Sequence, residues 1–190
     1  MADLGERAVR DAEQEALYAE LQAQRGRLDG LYGTLVLHRG LAELMLEVGR
    51  FYRTAAIVPD RYREAATLAV ATETQCAYVW SKHEPTARSA GLPQPVIEAL
   101  RRGNYDDAAL SPHEQDVVAL TLAALNLQSI SADLQERVAE TYGVEGVLEL
   151  SVLAGIYRMI AGYLAAIDVP LPDDARDPWG PDPGPGVGGA

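Results

Sequence analysis

One cysteine, Cys76, stands among the 190 residues, so no disulfide can close within the chain and no stapled secreted framework is expected. There is also one lysine, Lys82, and one phenylalanine, and aromatic residues make up only 6 % of the chain. β-Branched residues are not gathered into runs, and alanine and leucine dominate, which favours helix over sheet. The three histidines, at 38, 83 and 113, lack the spacing of metal ligands, so no metal and no cofactor are expected. Dinucleotide-binding, phosphate-loop and nucleophile-elbow glycine patterns are missing, which removes the corresponding enzyme classes. No apolar run approaches about 18 uninterrupted residues, so no membrane partner is expected. The opening "MADLGERAVRDAEQEAL" is charged throughout and reads as no signal peptide, which makes a cytoplasmic protein the expectation. Basic residues are outnumbered, leaving a net charge of -12, so nucleic acid is not an expected partner.

What is present is helical punctuation. With 48 % hydrophobic residues the chain can bury a substantial core, and it reads as all-α with about seven or more helices. Residues 4–25 carry an apolar stripe through Leu17 and Leu21, ended by Gly26 and Gly30, and read as a packing or dimer-contact arm. Residues 31–56 read as two segments split near Arg39 and Gly40, with His38 capping a helix C-terminus. Asp60 is the expected N-cap of a helix over 61–71, which puts Glu64 in its first turn. Thr72 or Thr74 is expected to cap the next helix, which Pro85 bends or interrupts and Gly91 ends. A short helix over 93–102 follows, closed by Gly103. Ser111, Pro112 and Glu114 spell an N-cap, an N1 proline and a capping box for a helix over 112–127, with His113 solvated. Ser131 caps another helix, which Gly143 stops. Residues 144–167 form the most apolar helix, to be buried in the core or across a subunit contact. Beyond residue 170 proline, glycine and aspartate dominate, so residues 1–170 read as one domain and 171–190 as a flexible tail in which Trp179 is either a chance residue or the point by which the tail docks on a neighbour.

Residues 63–91 concentrate the reactive side chains. Cys76, Val79, Trp80 and His83 recur at helical spacing and are expected on one face, with Glu64 on the preceding helix. A short link near Thr72 predicts antiparallel helices, which would bring the start of the first level with His83. A thiol in a first turn either has a lowered pKa, favoured by the unpaired N–H groups there, or serves as a small buried hydrophobe.

The run Glu64, Cys76-Ala77-Tyr78-Val79-Trp80 and His83 resembles the carboxymuconolactone decarboxylase and alkylhydroperoxidase D-like superfamily. Its peroxidases carry Glu, eleven residues, Cys-x-x-Cys, three residues and His; here Val79 replaces the second cysteine. "EPTARSAG" and "LSPHEQ" add to the likeness, which spans residues 35–171. The resemblance implies an alkylhydroperoxidase D-like helical bundle, a homo-oligomer, and a site built from Glu64, His83 and Cys76 with Tyr78, Val79 and Trp80 against a small-molecule substrate. It implies a cofactor-independent lyase or isomerase acting by acid–base catalysis on a small organic acid or lactone. A one-cysteine thiol peroxidase and a non-catalytic helical binding protein are the alternatives.

Overall fold

The computed structural model describes residues 10–26, 28 and 30–181. Among them there are eight helices and no strand: α1 (Ala12–Arg25), α2 (Gly30–Leu35), α3 (Arg39–Thr54), α4 (Asp60–Glu73), α5 (Ala77–Ser89), α6 (Gln94–Arg101), α7 (Pro112–Leu125) and α8 (Ala132–Ala166). The expected start of the first helix at residues 4–9 lies outside the described residues.

α4 is the axis of the bundle. Ten consecutive residues from Arg63 to Thr72 are buried, because α5, α6, α7 and α8 all pack on it. Small side chains allow this: Ala65, Ala66, Ala69 and Ala71 are fully buried and let neighbouring helices approach closely. On one side, Leu68 and Ala69 join a core with Val79, Val96, Ile97 and Leu100; on the other, Ala66 meets Val117, Leu120, Leu150 and Leu153.

Helix starts follow the capping chemistry in part. The Ser111 box forms as expected, and Ser131 accepts from the Leu134 N–H at 3.4 Å. Asp11 makes a further box with Gln14. Asp60 is not an N-cap: Pro59 holds that position, and Asp60 enters the first turn and pairs with Arg63. Neither Thr72 nor Thr74 caps α5. Thr72 donates to the Leu100 carbonyl and Thr74 to the Val70 carbonyl, so Cys76 is left as the N-cap. His38 sits at the N-terminus of α3, where Nδ1 accepts from the Leu41 N–H; the break falls at residues 36–38 and Gly40 lies inside the helix. Pro85 is absorbed within α5, which runs unbroken through it. His113 is not solvated: Nε2 is 2.6 Å from the Tyr142 hydroxyl and the ring meets Tyr62 edge-on at 4.7 Å.

Gly143 breaks α8 with φ of +69°, a conformation that costs glycine little, so two helical segments meet there. α8 has the length and apolar composition of a membrane-spanning helix, and 44 % of its most apolar window is buried against the bundle. One side is uncovered: Val144, Leu148, Val152 and Met159 are exposed.

Two buried charged side chains fix the link between α3 and α4. Glu149 of α8 accepts from the N–H groups of Ile57 and Val58, at 2.7 and 3.2 Å. Arg63 donates to the carbonyls of Val58 and Tyr52. Each satisfies backbone groups that a buried turn would otherwise leave unpaired.

The last described segment lies against the body of the bundle. Trp179 meets Trp80 edge-on at 5.6 Å, and its indole Nε1 donates to the Arg101 carbonyl at 3.0 Å. Arg101 donates in return to the Pro178 carbonyl. Residues 182–190 of the tail are outside the described residues.

Candidate active site

α4 and α5 are joined by a turn in which Gln75 adopts φ of +50°. The helices run antiparallel, so the first turns of α4 face the middle of α5. Glu64 and His83 meet there: His83 Nδ1 lies 2.8 Å from Glu64 Oε2. Both are largely buried, with side-chain exposures of 23 % for His83 and 12 % for Glu64. The opposite ring nitrogen, Nε2, lies 3.1 Å from the hydroxyl of Tyr157 on α8, and the two rings meet edge-on.

The proton positions follow from the partners. A carboxylate only accepts, so the Glu64 contact places a proton on Nδ1. Nε2 of a neutral ring is then an acceptor, and Tyr157 donates to it. Burial first, and the Glu64 charge second, push the Tyr157 phenol well above its ordinary value, while a Thr67 hydrogen bond pulls the other way. The phenol therefore keeps its proton at neutral pH.

These three groups open on a cavity of about 440 Å³. Its apolar wall includes Leu31, Met45, Val48, Leu153, Ile156 and Ile160. Tyr78 and Val79 also line it, as expected of substrate contacts, and Arg53 and Lys82 bring positive charge.

Cys76 and Trp80 are elsewhere. The cavity is lined from α5 by Tyr78, Val79, Lys82, His83 and Thr86, a face centred on the 79–82–86 row. Trp80 lies beyond its edge, buried and turned toward Trp179. Cys76 precedes the helix, with φ of -90° and ψ of 88°, so helical spacing does not govern where its side chain points. It packs against the main core. Nor is its thiol activated: burial pushes the pKa up, and the Val79 and Tyr78 N–H groups do not compensate. The expected lowering fails because desolvation of the thiolate outweighs the helix N-terminus.

Sequence reasoning missed Tyr157. Its signal was a phenol inside the most apolar helix, "LAGIYRMIAG", where a hydroxyl needs a partner. Thr67, Tyr52 and Tyr32, which also line the cavity, carried no such signal.

No family model and no curated protein matches the chain.

Proposed function

We propose that the protein is an enzyme that moves a proton at a carbon next to a carbonyl, in a small organic acid or lactone, as a lyase or isomerase of the carboxymuconolactone decarboxylase kind. The observation that carries this reading is the continuous chain Glu64–His83–Tyr157 at the cavity wall. In the forward step the substrate C–H bond breaks and its proton passes to the phenol oxygen. The phenol proton moves at the same time to His83 Nε2. The substrate becomes an enolate and His83 an imidazolium, held beside the Glu64 carboxylate. Reversal at the same or a neighbouring carbon gives the isomer; in a decarboxylation the C–CO2 bond breaks in place of the C–H bond, carbon dioxide leaves, and the enolate carbon takes its proton from the phenol, which is replenished from water. Positioned acid–base groups of this sort typically contribute about a hundred- to ten-thousandfold. A peroxidase cycle draws no support from Cys76, which does not line the cavity and whose thiolate is disfavoured.

The test is deuterium incorporation. A panel of β-keto acids and enol lactones in D2O, followed by NMR, should reveal at least one compound whose exchange or decarboxylation the protein accelerates. His83→Ala should slow it by about a hundredfold or more. Equal rates for the variant and the parent chain would remove the acid–base assignment.

A homo-oligomer is part of the proposal. The exposed stripe Val144, Leu148, Val152 and Met159 recurs along one side of α8, and covering it would remove apolar surface from water. Leu148→Asp should shift the species seen by light scattering toward monomer.

A further inference from the structure

We infer that the cavity takes a monoanion with an apolar body, whose carboxylate sits at Arg53 and whose neutral, reactive end sits at Tyr157. This deepens the isomerase arm of the reading above, since a sole carboxylate held at Arg53 is not the group that reacts at Tyr157, and it rests on that reading for the position of the reactive end only.

Charge decides the orientation. Of the nine arginines from Arg39 to Arg137, eight hold a carboxylate among the described residues. Arg53 is the ninth, and it is the one that both lacks an acid and lines the cavity. Arg63 also lines it, but its guanidinium is committed to two carbonyls and to Asp60. In a chain of net charge -12, an arginine that pairs with no acid among the described residues and lines an apolar cavity is suited to hold a carboxylate through its planar donor fork.

Local geometry keeps the guanidinium there. Arg53 lies back across Gly49 one turn earlier: a Cβ at position 49 would come within 3.0 Å of Arg53 Nη1 and 3.4 Å of the Tyr32 hydroxyl. Glycine at 49 leaves this lane open. Lys82, on the rim from α5, adds a second positive charge, its Nζ lying 5.6 Å from the Tyr78 ring centre.

The buried wall has the opposite character. Glu64 is 9 % exposed and its charge faces His83 and Tyr157. A second carboxylate placed there would oppose it in a poorly solvated site, a like-charge arrangement that strongly disfavours ionisation of one partner. The anionic end is thus driven to the exposed arginine and the uncharged end inward. Between them, the wall of Leu31, Met45, Val48, Ile156 and Ile160 suits a hydrocarbon or aryl body.

The test uses three probes with one skeleton: 4-phenylbutanoate, 4-phenylbutanamide and 4-phenylbutylammonium, titrated calorimetrically into the full chain. The acid should bind at least tenfold more tightly than the amide, and the amine more weakly than both. Arg53→Gln should bring the acid to the amide's affinity and leave the amide within about twofold. Glu64→Gln should leave the acid within about twofold as well; a tenfold gain would show that the carboxylate points inward and would overturn the orientation. No saturable binding of the acid at millimolar concentration, or equal weakening of acid and amide by Arg53→Gln, would overturn the inference. Because these are binding measurements, they stand or fall separately from the exchange rates that test His83.

Discussion

Tyr157 follows His83 by 74 positions, yet its hydroxyl reaches within 3.1 Å of His83 Nε2, on the side of the ring away from Glu64. His83 therefore has a fixed tautomer, and in the proposed reaction it reaches a substrate through the phenol. Tyr157→Phe should cost exchange about as much as His83→Ala, while Glu64→Gln should cost less than either if the carboxylate only orients the ring. Nitrogen-15 NMR of the intact chain should show His83 protonated on Nδ1. A ring protonated on Nε2 would contradict the chain of donors.

Cys76 should be a slow nucleophile. Burial raises its pKa above the ordinary 9.0, so the pH of half-maximal alkylation by iodoacetamide should lie above that value. The sign for stability follows: the folded state holds the thiol proton more tightly, so this contribution is present below the unfolded pKa and fades as pH rises through the folded one. Cys76→Ser should leave turnover within about threefold, the thiol being off the cavity. Loss of turnover by a hundredfold would return the chemistry to sulfur.

Truncation after Pro172 should destabilise the protein. It removes Trp179, and with it the edge-on contact to Trp80 and the indole bond to Arg101. A lost aromatic pair with its buried area amounts to about 2 kcal/mol, or roughly 4–8 °C in melting temperature for a chain of this size. Trp179→Ala in the full chain should reproduce most of the drop. An unchanged melting temperature for both would show the contact to be without weight.

Glu114 should set part of the acid limit. Its side chain is 1 % exposed. Burial alone would raise its pKa, but the Ser111 N–H, the Arg61 guanidinium and the Ser111 hydroxyl outweigh it, and the carboxyl sits below the usual range. A folded pKa below the unfolded value contributes stability that is present above about 4.5 and lost as pH falls through the folded value. Glu114→Gln should lower stability by about 2 kcal/mol at neutral pH. The gap between variant and parent melting temperatures should close as the pH is taken below 4.5. A gap independent of pH would assign the loss to packing alone.

The helices were legible because their signals are local. The capping box at Ser111 and the stop at Gly143 each lie within a few residues of the structure they specify. Errors arose where two local signals competed. At the α4–α5 turn both threonines were available as caps, but a carbonyl of α6 claimed Thr72 and Thr74 bonded back onto its own helix at Val70. The meeting of Glu64 and His83 could be argued from one short turn, since antiparallel packing follows from it. Tyr157 could not, because nothing local states which face of a helix 74 positions away will close the site. A lone tryptophan in a proline-rich tail hinted at docking, but its partner Trp80 on α5 was not legible, because composition says nothing of a distant aromatic ring.

The start of the chain has a consequence for how such a protein can change. Leu28, Leu31 and Tyr32 line the cavity, and they precede the stretch that carries Glu64, His83 and Tyr157. Tyr78 ties the two together: its hydroxyl accepts from the Leu31 N–H, and a side chain at Gly30 would strike its ring at 2.2 Å. Part of the cavity's outline thus comes from a segment apart from the helices that carry Glu64, His83 and Tyr157, and Tyr78 is one of its ties to them. Substitutions at Leu28, Leu31 or Tyr32 can redraw this part of the outline while Glu64, His83 and Tyr157 keep their positions. On the proposed function, selection for a new substrate has a short segment to work on, at little risk to the Glu64–His83–Tyr157 chain.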